Sequence, residues 1–446
     1  MLKEKIALGE LLRENRYAEV REVLGEMNAV DIAEAFEKVD EVTAVRMFRM
    51  LPKDDAAEVF AYMSVDVQQR IVLKIKDDEI KDIVNEMFLD DAVDFIEEMP
   101  ASVVKRVLRS IPNDKRELIN QFLQYPENSA GSIMTIEYIS LKEFLTVSEA
   151  FDRIRTQGID SETIYTCYVT DAYRRLIGAV SAKRLLLASP NAKVGDIMER
   201  TIISAVTTDD QEHLAKNFRK YGLLAMPVVD NESRIVGIVT VDDVMTIQEE
   251  EATEDFELMA AMSPSEEPYL KTSVWILVKR RLPWLMLLML TATITGAIIT
   301  SFEEALAALP VLVSFIPMLM DTGGNAGSQS STLTIRGMAI DEIHTADMMR
   351  VLWKEIRVAV ICGAALSVVN FVRIMMFNSR ALLAITVSIA LYVTVILSKS
   401  LGCLLPIAAK KLKLDPAVIS SPLITTIVDA GALALLFGLS KLLLGI

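Results

Sequence analysis

At 446 residues the chain is too long for one ordinary domain, and it carries 46 Lys and Arg against 61 Asp and Glu, a formal net charge of −15. The excess is confined to one side: residues 1–270 hold 31 basic and 52 acidic side chains, residues 271–446 hold 15 and 9. So acidic a first part argues against a nucleic-acid partner and suits divalent cations, while apolar runs of roughly 20 residues in the second part call for a lipid bilayer.

Residue types exclude further classes. Cys167, Cys362 and Cys403 are scattered singly, and His213 and His344 are isolated, so a zinc-type site is not expected. No GxxxxGK[ST] loop is present to couple ATP hydrolysis to transport, and no enzyme is expected. The opening residues 1–16 contain no apolar run, so no cleavable signal peptide is expected and the first part should stay in the cytoplasm.

Residues 1–128 read as a helical acidic domain. Apolar residues recur at spacings of three and four, and a short phrase returns at Leu51-Pro52, Met99-Pro100 and Ile111-Pro112, each opening a new helix. The pattern predicts stacked helical hairpins forming a small superhelix. In residues 88–99, Val93 and Ile96 face a core, while Asp90 and Asp94 share another face with Glu97 and Glu98 following. Like charges at that spacing repel by a few tenths of a kcal/mol per pair, which a bound cation would relieve; a solvated acidic face is the other reading.

Residues 129–246 hold a twofold repeat, 129–190 and 191–246. From Asp171 and Asp230 onward the offset is constant, each copy giving strand, polar hairpin and a second strand ending Gly-x-Val-Ser/Thr. With Ser132-Ile133-Met134 and Asp196-Ile197-Met198 upstream, the pair is similar to a tandem CBS (Bateman) module, an α+β regulatory unit that dimerises. In that family a Ser/Thr-x-x-Asp after the last strand can hold a nucleotide ribose. The second copy has Thr240 and Asp243 at those places, whereas the first has Ser181-Ala182-Lys183-Arg184 and lacks the Asp. The resemblance thus implies at most one nucleotide site per chain, with ATP as a regulatory ligand; a metal role for Asp242 and Asp243 is the competing reading.

Residues 247–272 form an acidic connector. No basic residue occurs between Arg234 and Lys271, while Glu249, Glu250, Glu251, Glu254, Asp255 and Glu257 crowd the middle. A disordered linker is one expectation. Ala252, Phe256, Met259, Ala260 and Met262 give the segment an apolar helical face and favour a helix that cation concentration switches between docked and repelled.

Five membrane spans are expected, at about 275–300, 310–334, 352–377, 381–409 and 417–444. The basic residues Lys279–Arg281, Arg336, Arg350, Lys354, Arg357 and Lys410–Lys413 place the first part in the cytoplasm and the C-terminus outside. The second span is unusual: Pro317, Asp321, Gly323, Gly324, Asn325 and Gly327 interrupt it. Such residues at membrane depth either allow tight helix packing or free carbonyls and carboxylates to face a permeation path. Asp321 and Asp429, about 14 residues from the cytoplasmic ends of their spans, would stand at one depth and could address one hydrated cation. Thr425 and Thr426 could hydrogen-bond its water; Lys399, in the fourth span, either pairs with a buried acid or snorkels on its long stem.

Pro317 with the run Gly323 to Gln329, and Asp415-Pro416 with Ser421-Pro422 through Asp429, carry a resemblance along essentially the whole chain to the MgtE family of magnesium channels. The resemblance implies a multi-pass homodimer in the cell membrane with its pore between the two chains. It implies Mg2+ held at Asp429 with its water shell, with Asp321 and Asn325 on the path. It also implies closure by cytosolic Mg2+ bound at Glu58, Asp90, Asp94, Glu212, Asp243, Glu254 and Asp255. Gly222 stands where the family can have an acidic residue, so one sensor position differs. A secondary transporter for Mg2+, Mn2+ or Co2+ is one rival reading, and a nucleotide-responsive receptor whose membrane part is only an anchor is the other.

Overall fold

A computed structural model describes residues 11–445 apart from 13, 15, 266–268, 271, 378, 379 and 420. The expectation about a signal peptide falls largely on residues outside this range. The chain divides into two compact units, 1–248 and 249–446.

Among the described residues the first unit holds nine short helices in succession from residue 17: α1 (Tyr17–Glu26), α2 (Ala29–Phe36), α3 (Glu41–Phe48), α4 (Lys53–Ala61), α5 (Val65–Val72), α6 (Asp77–Glu86), α7 (Leu89–Glu97), α8 (Ala101–Ser110) and α9 (Asn113–Phe122). Helices pack on the next but one, as α2 does on α4, α4 on α6 and α6 on α8, which makes the expected superhelix. Its core includes a chain of edge-to-face rings running Phe36, Phe48, Phe60, Phe95. Pro52, Pro100 and Pro112 occupy the residue just before α4, α8 and α9, where no amide hydrogen is missed.

Two small α+β copies follow. The first has β1 (Tyr138–Lys142), α10 (Val147–Gln157), β2 (Thr163–Thr170), β3 (Leu176–Ser181) and α11 (Ala182–Leu187). The second has α12 (Val194–Ile197), β4 (Ala205–Val206), α13 (Gln211–Tyr221), β5 (Ala225–Val229) and β6 (Ile235–Thr240). Each sheet is a parallel pair followed by an antiparallel hairpin. The repeat is geometric as well as sequential: Asp171 Oδ1 accepts from the amides of Tyr173 and Arg175, and Asp230 Oδ1 from those of Glu232 and Arg234. Arg174 and Ser233 hold the same left-handed turn position, at φ 64° and 62°. The copies interlock, because the Thr135 amide bonds the Ile238 carbonyl in the second sheet at 2.8 Å while the Glu199 amide bonds the Ala179 carbonyl in the first, also at 2.8 Å.

Gly222 closes α13 with φ 62°, the left-handed cap that glycine adopts without strain. The connector is helical from the end of β6: α14 runs Val241–Met259 without a break.

The second unit holds α15 (Val274–Ser301), α16 (Glu303–Ala308), a 3-10 turn Pro310–Phe315, α17 (Ile316–Ala339), α18 (Met348–Phe377), α19 (Ala381–Lys411), a 3-10 turn Pro416–Val418 and α20 (Ser421–Leu444). Among the described residues four helices are long and apolar enough to cross a membrane: Val274–Ser301, Thr345–Phe377, Ala381–Lys411 and Ser421–Leu444. The remaining expected span, α17, is 24 residues long, but its Gly, Ser, Thr and Asn content keeps it below that apolarity. It packs against α19 and α20, while α18 packs on α19 and α15 on α20. Pro317 stands in the first turn of α17 and starts the helix, which then continues unbroken through Gly323–Gly327. The expected interruption is thus absent.

Candidate functional site

In the second unit the small residues of α17 are packing surfaces. A β-carbon at Gly323 would meet Thr394 and Val428, one at Gly324 would meet Thr425, and one at Gly327 would meet Ile424 and the Ser398 carbonyl. Glycine here lets α17 approach α19 and α20 closely, the first of the two expectations for these residues. The polar stripe is elsewhere: Asp321, Asn325 and Gln329 recur every fourth residue and are all exposed on the opposite side of the helix.

Asp429 on α20 is half-buried and lies within electrostatic reach of Asp321. α17 runs on to Ala339 and α20 starts only at Ser421, so counting back from the expected helix ends does not give the depth of the two carboxylates. Thr425 and Thr426 differ from expectation: their hydroxyls donate back to helix carbonyls, Thr425 to Pro422 at 2.8 Å and Thr426 to Pro422 at 3.0 Å. They retain only acceptor capacity toward water. Ser328 and Ser421 hydroxyls, 2.5 Å apart, tie α17 to the start of α20.

The C-terminal end of α17 meets the connector. Leu258 in the last turn of α14 is buried with Ile335 of α17 and Ala417 of the second 3-10 turn. These are short apolar contacts made by the residues with which an otherwise acidic helix ends.

In the first unit, carboxylates converge where the superhelix meets the repeats. Asp90 and Asp91 lie in the first turn of α7, Asp242 and Asp243 in the first turn of α14, and both helix starts favour negative charge. Glu137 and Glu162 stand just before β1 and β2. Their mutual effect is strong. Burial first, then repulsion from Asp91, Asp243 and Glu162, pushes Asp90 well above the usual carboxylate range. Burial and Asp243 raise Asp91 to about 6. Burial, Asp91, Glu97, Glu98 and Asp243 raise Asp94 to about 7, although its side chain keeps an open face to solvent. Glu162 rises to about 8 through burial and then Asp243, Asp242, Asp91 and Glu137, and its Oε2 is sealed from solvent without a hydrogen-bond partner. Asp243 is raised by burial, against a lowering bond from Thr240.

The candidate residues divide accordingly. Asp90, Asp94 and Asp243 are brought together, and Glu58 borders them through Tyr62, whose phenol feels Glu58, Asp242, Asp91 and Glu162. Glu212 is not in the group: it pairs with Lys216 at 2.7 Å on α13. Glu254 and Asp255 lie farther along α14, in the second unit. Glu137, Asp91 and above all Glu162 join the group without having stood out in the sequence, because each is an isolated acid before a strand or within an already acidic helix. The Thr240 hydroxyl donates to Asp243 Oδ2 at 2.6 Å, so the pair proposed for a ribose is bonded to itself and faces like charge. Among the described residues no three such side chains close tightly enough to hold a bare metal ion. The arrangement suits a hydrated one, since Mg2+ keeps several waters and needs one or two carboxylates.

Comparison with known proteins agrees with this architecture. The chain matches the MgtE divalent cation transporter family over residues 316–439, the MgtE intracellular N domain over 27–128, and the CBS domain over 130–191 and 194–250. It is 35% identical to the magnesium transporter MgtE of Bacillus subtilis over 80% of this chain and 78% of that protein. It is equally similar, at 35% over 80% and 79%, to the magnesium transporter MgtE of Thermus thermophilus. Among solved structures, the cytosolic domain of the Mg2+ channel MgtE in complex with ATP matches 55% of this chain and 99% of its own length, with a TM-score of 0.52 and 33% identity. The soluble part of a magnesium transporter matches 56% and 99%, with a TM-score of 0.54 and 28% identity. A helical N domain, tandem CBS copies and a membrane helical region in this order, with a relative sharing a third of its residues over most of both lengths, place this chain in the MgtE family of magnesium transporters, a family of divalent cation transporters and not of enzymes.

Proposed function

We propose that the protein is a homodimeric, Mg2+-selective channel of the cell membrane that cytosolic Mg2+ closes. Residues 1–128 and the two repeats, 129–190 and 191–246, form the cytoplasmic sensor; 247–272 is the connector; 273–446 is the membrane domain, with the C-terminus outside. Asp321, Asn325 and Asp429 line the path, where paired carboxylates favour a divalent ion retaining its water. Asp90, Asp94, Asp243 and Glu58, joined by Asp91 and Glu162, hold the sensing ions, with Glu212, Glu254 and Asp255 as further sites.

The observation that carries this reading is the course of α14, which starts at Asp242 and Asp243 in the carboxylate cluster and ends with Leu258 against Ile335 of the helix bearing Asp321. When Mg2+ neutralises the cluster, the connector is held against α17. When Mg2+ falls, repulsion among the carboxylates releases it. Several weak sites acting on one two-state element add their differential binding energies. ATP is a second regulatory ligand on this reading, supported by its presence in the related cytosolic domain.

Recording from excised patches while cytosolic Mg2+ is stepped from nearly none to millimolar tests both roles. Unitary openings that shut as Mg2+ rises and vanish in Asp429→Ala are expected. Steady flux without unitary openings would favour a transporter, and openings indifferent to cytosolic Mg2+ would remove the sensing role.

A further inference from the structure

Lys115 lies in the first turn of α9, where a helix's own amides favour negative charge, so its place is not explained by its own helix. It is explained by what α9 packs on. α9 rests against α7, and the Lys115 ammonium reaches the end of α6, where it donates to the carbonyls of Met87 at 2.7 Å and Asn85 at 3.1 Å. Carbonyls at a helix end attract a cation and fix its position. Asp90 and Asp91, in the first turn of α7, follow shortly after Met87, so the ammonium is pinned at the edge of the acidic junction.

The junction feels this charge. Asp91, raised by burial and then by Asp243, Asp242 and Glu137, is drawn back by Lys115. Burial pushes the Lys115 ammonium below the usual lysine value, and Glu137, Glu86, Asp114 and Asp90 hold its charge against that. Glu137 stands just before β1, in the first repeat, whereas Lys115 belongs to the superhelix. A cation of one part thus faces a carboxylate of the other.

We propose that Lys115 is a resident counter-cation of the junction, a positioning residue that holds the superhelix against the first repeat when Mg2+ is absent and so limits how far the Mg2+-free sensor comes apart. This rests on the reading of the junction as a cation-binding group. A positive charge among like-charged carboxylates in a partly buried place is little screened by salt, and its attraction is largest while those carboxylates are unpaired. Bound Mg2+ neutralises the same carboxylates and takes over the role of Lys115. The contribution of Lys115 to stability must therefore shrink as Mg2+ binds, which two hydrogen bonds to carbonyls alone would not do.

Melting midpoints of the cytoplasmic unit in the full-length protein, taken at pH 8 in chelator and in millimolar Mg2+, test this. Lys115→Met should lower the midpoint in chelator by about 4 °C or more, and by about half of that or less in Mg2+. Lys115→Arg should stay close to native in both. Asp91→Asn should raise the chelator midpoint more in the Lys115→Met background than in the native chain, since Lys115 no longer offsets that charge.

If Lys115→Met does not accumulate, Lys115→Gln, which keeps amide donors in place of the charge, carries the same comparison. An equal deficit in chelator and in Mg2+ overturns the proposal and leaves Lys115 a hydrogen-bond donor at a helix end; so does an equal gain from Asp91→Asn in the two backgrounds. A native midpoint that Mg2+ does not raise would instead overturn the reading of the junction as cation-binding, an outcome distinct from a Mg2+-responsive chain whose Lys115 deficit ignores Mg2+.

Discussion

Gly402 of α19 lies so close to the main chain of Gly327 on α17 that a β-carbon at residue 402 would fall on the Gly327 carbonyl. Both sides of this contact are backbone, which cannot rotate away as a side chain would. Gly402→Ala should therefore destabilise the membrane unit by about 1–3 kcal/mol, displace α17 and abolish most of the current. Gly296→Ala and Gly438→Ala, where a β-carbon meets nothing within 4 Å, are the controls and should be near neutral. Melting midpoints and current amplitudes of the three variants, compared side by side, distinguish this specific approach from a general intolerance of alanine.

Glu162 carries an electrostatic conflict within the acidic junction, a carboxylate oxygen sealed from water and bonded to nothing among the described residues. Glu162→Gln removes one charge from a group whose other members all repel it. In chelator at pH 8 the melting midpoint of the cytoplasmic unit should rise by about 2–4 °C, the shift expected for roughly 1 kcal/mol in a unit of this size. The further rise on adding millimolar Mg2+ should shrink. A midpoint that falls in chelator would mean that Glu162 is stabilised by its surroundings and is no part of a cation-dependent cluster.

The same cluster dictates the pH dependence. A carboxyl whose folded pKa lies above its unfolded value of about 4 favours the fold at low pH, and that contribution is lost as pH rises through the folded value. With Asp91 near 6, Asp94 near 7 and Glu162 near 8, the Mg2+-free chain should lose stability progressively between about pH 5 and pH 8. Asp94, open on one side, contributes less than its shift suggests because solvent screens it. Millimolar Mg2+ should flatten the profile, and Mg2+ affinity should rise with pH as bound protons are displaced. Thermal midpoints across pH 5–8.5 in chelator and in Mg2+ provide the check; parallel profiles would show that the carboxylates are not the Mg2+-linked groups.

What could be read from the chain and what could not follows from how far apart the interacting residues lie. The hairpins of the repeat were legible because Asp171 and Asp230 act on amides two and four residues away, within a window that a fixed offset exposes. The glycines of α17 were legible as special, but their partners on α19 and α20 were not, so Asp321 and Asp429 tilted the reading toward a permeation path, whereas the continuous helix makes the glycines packing surfaces. Lys399 found its hydroxyl partner 69 residues away, a pairing no periodicity announces. Glu162 carried no local signal because its role comes from Asp243, Asp242 and Asp91, supplied by two other helices.

The connector's closing turn gives the most direct test of coupling. Leu258 is 8% exposed and buried with Ile335 and Ala417, while Asp242 and Asp243, of the carboxylate cluster proposed to sense the cation, lie at the opposite end of the same helix. Leu258→Ala removes apolar area from that contact without touching Asp242, Asp243 or the path residues, and large-to-small changes at such positions remove about 2–5 kcal/mol when fully packed. Only the docked state loses this energy, so the docked and released positions of the helix move toward balance. Closure should then require several-fold more cytosolic Mg2+, while the current through an open channel and its half-saturation on the extracellular side stay native. A variant that closes at the native Mg2+ concentration would show that the docking of α14 on α17 does not transmit the sensor's state.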